Sequence, residues 1–299
     1  MLNFKPITLA DRDTICEALA GHPYRACDFT FANLYAWNAK FKTQYTIADG
    51  TLFLRFRGAC TNMFYMMPVG GQLTVKQAVE KMMADAANNG VAFSMKAITD
   101  RMWQKIETEM PGLFDYTHER ENDEYIYLTE KLITLSGKKL QSKRNHINRF
   151  KADNPDWEYS SVTTQKDLDE CLEMLNKWDD VHDDPGNSLE YDYIATKLML
   201  QNFNPLELKG GAIRVNGQII AFSLGEPLNE DTFVVHVEKA YSHINGAYTI
   251  MNQQFAMHEA SEYKYINREE DMGLESLRKA KLSYQPELIL QEGIVKLKA

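Results

Sequence analysis

The chain has 299 residues, 44% of them hydrophobic and 25% charged, and a formal net charge of −9; this is enough for one large or two ordinary cores and too acidic for a general DNA or RNA binder. Four cysteines (Cys16, Cys27, Cys60, Cys171) without CxxC spacing argue against a disulfide framework and a structural zinc site. No apolar run reaches the roughly eighteen residues of a membrane span, and MLNFKPITLADRD lacks a signal-peptide core, so a cytoplasmic protein is expected.

In chain order, FKPITL (4–9) predicts a strand, followed by a helix capped by Asp11. DFTFANLYAWNAKF from Asp28 predicts a second helix and reads as core and domain interface rather than a substrate box. YTIADGTLFLRF gives two strands joined by Asp49-Gly50, a hairpin signal, and MFYMMPV a third. The helix 74–89 ends at Gly90; a strand (91–98), a helix stopped at Pro111-Gly112 and strands near 113–118 and 124–129 follow. Met66, Met67, Met82 and Met83 read as core filler.

The second half begins with a basic linker helix, 132–153, whose segment KKLQSKRNHINRFK holds six Lys or Arg and no acid. A strand (157–163) and the helix 165–180, with Leu168, Leu172 and Leu175 on one face, come next. His182, Asp183 and Asp184 in HDDPGN are adjacent and followed by a turn, which reads as helix end and loop rather than a metal cluster, and no metal is expected. After the helix 190–203, GAIRVNG and QIIAFSLGEP pair through Asn216-Gly217, TFVVHVEKA (232–240) is the third strand, and the helix 247–260 follows. The strand YKYIN, a short helix at 274–283 and terminal strands near 287–297 close the chain.

Strand, two helices, three antiparallel strands, helix, strand, helix, strand thus occurs twice. The chain is expected to be α+β, with two copies of one three-layer fold at 1–130 and 131–299, each a mostly antiparallel mixed sheet flanked by helices. This order resembles that of the GNAT acyltransferases. LSGKKLQSKRNHINRFKA (135–152) and NREEDMGLESLRKAKLSYQP (267–286) resemble the soluble C-terminal domain of phosphatidylglycerol lysyltransferases, and the first motif also the linker helix of the Fem aminoacyltransferases. The resemblance implies transfer of an amino acid from aminoacyl-tRNA to a lipid headgroup, peptide or small acceptor, with the tRNA 3′ end as partner and no further cofactor. The GNAT pyrophosphate loop, Q/R-x-x-G-x-G/A, is matched by KAYSHINGAYTI, with one glycine, Gly246, and no arginine, and in the first half by Gly70-Gly71 without a basic residue. Acyl-CoA is therefore the second donor, and a binding module without catalysis the reading from another class.

His236 and Glu238, two apart on one strand, are expected on one sheet face, with Glu238 as general base for the acceptor and strand N–H groups near 236–238 steadying the oxyanion. A polar face turned to solvent is equally compatible. Carried over from the lysyltransferase motif, Asp271, Arg278 and Lys281 line the aminoacyl and tRNA-end pocket, with Asn267 beside them and Gly246 at the donor turn. The helix after Gly273 should place Leu277, Ala280 and Tyr284 on one stripe and Arg278 and Lys281 on its edge. GNAT enzymes often use a tyrosine of this helix as general acid, which makes Tyr284 the candidate. A surface salt-bridge cluster is the alternative. Lys143, Arg144 and Lys151 are the candidate RNA phosphate contacts, or the face of a solvated linker helix.

Overall fold

The computed structural model describes residues 2–58, 62–179 and 188–298, so the HDDPGN segment lies outside the described residues. The strands are β1 (Lys5–Pro6), β2 (Gln44–Ala48), β3 (Thr51–Arg57), β4 (Met63–Tyr65), β5 (Val69–Gly70), β6 (Ser94–Thr99), β7 (Phe114–His118) and β8 (Glu124–Leu128). They continue with β9 (Glu158–Ser161), β10 (Lys209–Val215), β11 (Gln218–Pro227), β12 (Thr232–Ala240), β13 (Tyr265–Asn267), β14 (Leu288–Leu290) and β15 (Glu292–Leu297). Two compact units result. The first holds residues through Glu124, with Glu270–Glu275 and the segment from Ile289; the second holds Tyr125–Glu269 and Ser276–Leu288. No described helix is long and apolar enough to cross a membrane.

The first unit's sheet runs β1-β2-β3-β4-β6-β15-β7, with β5 beside β3. Asp49 and Gly50, at φ 53° and 71°, make the β2–β3 hairpin turn that their sequence signals. The helix Val75–Asn88 opens on a capping box, in which the Gln77 N–H donates to Thr74 Oγ1 (3.2 Å) and the Thr74 N–H to Gln77 Oε1 (3.0 Å). It buries Ala78, Val79, Met82 and Ala86 at helical spacing, large aliphatic side chains so buried contributing about 1.5–3 kcal/mol each. Asp85 lies on the same face and accepts from Arg55 and Tyr65, both at 2.6 Å.

One strand is not where the repeated order predicts it. β15 lies in the first unit, antiparallel to β6 on one side and β7 on the other. Without it both neighbours would present open edges, each a row of unpaired N–H and C=O groups.

The second unit's sheet runs β8-β13-β12-β11-β10-β9. Asn216 (φ 51°) and Gly217 (φ 74°) form the β10–β11 hairpin. Phe222, Phe233, Ile250, Phe255 and Ile266 are fully buried in this unit's core. The helix Gln165–Asp179 buries Leu168, Cys171, Leu175 and Trp178, with Leu172 only half-buried. The basic helix starts at Gln141, not 132. A separate helix, Thr129–Thr134, is ended by Leu135 and Gly137, both at positive φ (49° and 89°). The expected stripe on the helix Glu275–Leu282 also differs: Ala280 is exposed and Leu277 half-buried, and the side that turns inward carries Lys281 and, just beyond the helix, Tyr284.

Candidate functional site

The second unit opens where β12 and β13 part. Their parallel pairing ends at Val234 and Asn267, while β12 continues to Ala240. On the other edge of β12, Leu224 pairs with Val237 and Gly225 with Val235, so His236 is the extra residue of a bulge. Gly225 is required there, since a Cβ would lie 2.2 Å from the Val234 carbonyl oxygen. Beyond β13 the chain turns at once: the Glu269 N–H donates to Asn267 Oδ1 at 2.7 Å, and Glu269 takes φ 58°. The turn aims Arg268 and Glu269 back at the unpaired end of β12.

Two ionic groups fill the opening. His236, its side chain 1% exposed, sits between Glu269 (Nδ1 to Oε1, 2.7 Å) and Glu226 (Nε2 to Oε1, 3.0 Å). Burial alone would lower its pKa, but the two carboxylates outweigh it and hold the imidazolium up to about 10. Both ring nitrogens therefore donate. Arg268 Nη2 donates to both oxygens of Glu238, at 3.0 and 3.2 Å, and Asn252 Nδ2 donates to Glu238 Oε2 at 3.1 Å.

Aromatic rings and a lysine close the site. The Arg268 guanidinium lies 4.8 Å from the Tyr284 ring centre and 5.6 Å from that of Tyr127, and Lys143 Nζ lies 3.9 Å from the Tyr284 ring centre. Burial first, and then the Arg268 charge, push the Lys143 ammonium down to about 8. Burial pushes the Tyr284 hydroxyl up to about 12, with Arg268 acting against the rise. Tyr127 donates from its hydroxyl to the Lys281 carbonyl (2.8 Å), and Lys281 Nζ donates to the Arg268 carbonyl (2.5 Å). Thus Lys281 holds the turn by its backbone.

Three buried polar atoms in this neighbourhood have no hydrogen-bond partner: Arg268 Nη1, Asn252 Oδ1 and Ser223 Oγ. Two belong to the residues that hold Glu238, and Ser223 is its cross-strand neighbour on β11. Such atoms are nearly always paired in a folded protein. Polar atoms of a ligand or of water at this place would satisfy them.

The expected residues fall in both units. His236, Glu238, Tyr284, Lys281, Asn267 and Lys143 meet around the end of β13 in the second unit. Asp271 belongs to the first unit, fully buried, with Oδ1 accepting from the Gly273 N–H (3.0 Å) and Oδ2 from Arg120 (3.2 Å). Arg278 is half-buried on the helix Glu275–Leu282. Arg144 donates to the Gly137 carbonyl (2.9 Å) and to that of Leu135, and Lys151 lies over Trp157, 5.0 Å from its ring centre. Gly246, at φ 83°, caps the helix Ala247–Glu259, where a Cβ would stand 2.6 Å from the His146 carbonyl oxygen and 3.0 Å from Phe150 Cβ. The basic helix packs on that terminus.

Arg268, Glu226, Asn252 and Ser223 were not anticipated. Arg268 and Glu269 lie inside the motif NREED, and Asn252 is a polar residue on the buried face of an apolar helix. Ser223 carried no signal.

The sequence profile of the phosphatidylglycerol lysyltransferase C-terminal family matches residues 21–291. A conserved protein of unknown function from Bacteroides thetaiotaomicron is 43% identical in its crystal structure, covers 100% of both chains and superposes with a TM-score of 0.94. L-PGS from Bacillus licheniformis shares the fold at 16% identity, over 86% of this chain and 84% of that one, with a TM-score of 0.63. An uncharacterised protein of Mycoplasmoides gallisepticum is 29% identical over 180 residues, 58% of this chain. That match spans 56% of the relative's own length.

Proposed function

The chain belongs to the phosphatidylglycerol lysyltransferase C-terminal family, and we propose that it moves an aminoacyl group from aminoacyl-tRNA to an amine or hydroxyl acceptor, on a tandem GNAT-like acyltransferase fold. The observation that carries this reading is the set of unpartnered polar atoms beside Glu238. An ester carbonyl and an attacking hydroxyl or amine would supply the partners they lack.

The acceptor gives its proton to the neutral amine of Lys143 and attacks the ester carbonyl. Arg268 Nη1 donates to the oxyanion that forms. When the carbon–oxygen bond to the tRNA ribose breaks, Tyr284 gives its proton to the departing oxygen. Lys143 then carries one proton more and Tyr284 one fewer, and exchange with solvent restores both. Glu238, with both oxygens on Arg268, positions the guanidinium. This moves the proton acceptor from Glu238, expected from the sequence, to Lys143. His236, already doubly protonated, positions Glu269 and the turn.

Aminoacyl-tRNA is favoured over acyl-CoA because the His146–Phe150 turn covers the helix terminus at Gly246, the counterpart of a pyrophosphate-binding turn. The test is incubation with labelled aminoacyl-tRNA, and separately with acetyl-CoA, in the presence of phosphatidylglycerol vesicles or a primary amine. The expected result is consumption of aminoacyl-tRNA with label appearing on an acceptor. Consumption of acetyl-CoA alone, or of neither donor, overturns the reading.

A further inference from the structure

The first unit gathers three carboxyl side chains from distant parts of the chain. Asp28 comes from the turn Cys27–Phe29, Glu124 from the start of β8 and Glu292 from the start of β15. One oxygen of each lies within 4.8 Å of the other two. Glu124 and Glu292 are only 1% and 4% exposed, and Asp28 is half-buried. The Cys27 N–H reaches both Glu124 oxygens, at 3.0 and 3.2 Å, and fixes that carboxylate in place.

A second observation points to a ligand. Glu292 Oε1 is buried and has no hydrogen-bond partner. Leaving a carboxyl oxygen unpaired in a packed interior is costly, and doing so beside two further carboxyl groups is more so unless a cation joins them. We propose that Asp28, Glu124 and Glu292 form a site for a divalent metal ion of the hard class, Ca²⁺, Mg²⁺ or Mn²⁺.

The donor chemistry selects the class. All three ligands are carboxylate oxygens, which suit hard ions. A divalent ion offsets more of three carboxylate charges than a primary ammonium does, and a bare ion needs no channel for an alkyl stem. Cys27 Sγ lies in a neighbouring group, within 4.8 Å of oxygens of Glu124 and Glu270, to which a softer ion such as Zn²⁺ would be drawn instead. The bound ion joins the turn at Asp28 to β15, closing nearly the whole length of the chain. Because the site exists only when the first unit is folded, the ion stabilises that unit by mass action.

The experiment is thermal unfolding of the full chain, stripped with EDTA, then supplied separately with CaCl₂, MgCl₂, MnCl₂, ZnCl₂ or n-butylammonium chloride. At least one hard divalent ion is expected to raise the midpoint by about 3 °C or more. The shift should vanish in Glu292→Gln and in Asp28→Asn. If Glu292→Gln does not fold, the half-buried Asp28 variant decides alone. No shift with the hard ions, a shift surviving in Asp28→Asn, or stabilisation only by Zn²⁺ or n-butylammonium overturns the proposal.

Discussion

Lys281 Nζ lies 2.5 Å from the carbonyl oxygen of Arg268. A charge from the motif's helix thereby fixes the backbone of the residue whose own side chain faces Glu238. Lys281→Met removes the donor and leaves that carbonyl without it. The expected cost is about 1–3 kcal/mol of stability, read as a lower urea midpoint, together with slower aminoacyl transfer because Arg268 is no longer held.

Removing the proposed proton acceptor tests the chemistry directly. Lys143→Ala should lower turnover of aminoacyl-tRNA by about 10²–10⁴-fold. A rate within threefold of wild type would take the proton-accepting role from Lys143.

Glu238 and Arg268 act on Lys143 with opposite signs, and the pH–rate profile should report both. In the proposed reaction the acceptor's proton passes to the neutral amine, so the rate should rise with pH through the Lys143 pKa of about 8. Glu238 raises that pKa, so Glu238→Gln should move the limb to lower pH. Arg268 lowers it, so Arg268→Gln should move the limb to higher pH. A purely structural effect of either substitution would lower the plateau without moving the limb.

His236 makes stability depend on alkaline pH. Its folded pKa is raised to about 10, above the ordinary 6.5 of the unfolded chain. The stabilisation is therefore complete below pH 6.5 and declines as pH rises through 10. Melting temperature measured across that window should fall more steeply for wild type than for His236→Gln. At pH 6 the variant should be less stable by about 3 kcal/mol, since it leaves the buried Glu226 and the half-buried Glu269 without their cation.

Gly246→Ala tests why that glycine is present. The new methyl would meet the His146 carbonyl at 2.6 Å on a backbone at φ 83°. A loss of about 1–3 kcal/mol is expected, measured by chemical denaturation. Unchanged stability would mean that the basic helix does not bear on Gly246 as described.

Local signals in the sequence carried much of the fold. Asp49-Gly50 and Asn216-Gly217 each became a two-residue hairpin, and the element order seen twice became two mixed sheets. The motif NREED marked the turn at which β12 and β13 part. What the sequence left hidden depends on contacts across long chain distances. Nothing local to Glu292–Leu297 says that this strand enters the first sheet, because an edge strand and an inserted strand share one alternating pattern. The break at Leu135 was equally hidden, since leucine seldom adopts the left-handed conformation found there. The partners of Glu238 and His236 came from a turn and a helix that periodicity could place but not aim.

The place of β15 sets a schedule for synthesis. A ribosome delivers β6, which ends at Thr99, and β7, which ends at His118, long before the strand from Glu292 that separates them. Until then the first sheet holds a gap whose rims are open to other chains, the condition in which nascent proteins engage chaperones or aggregate. A deletion or frameshift near residue 290 should therefore damage the start of the protein as much as its end.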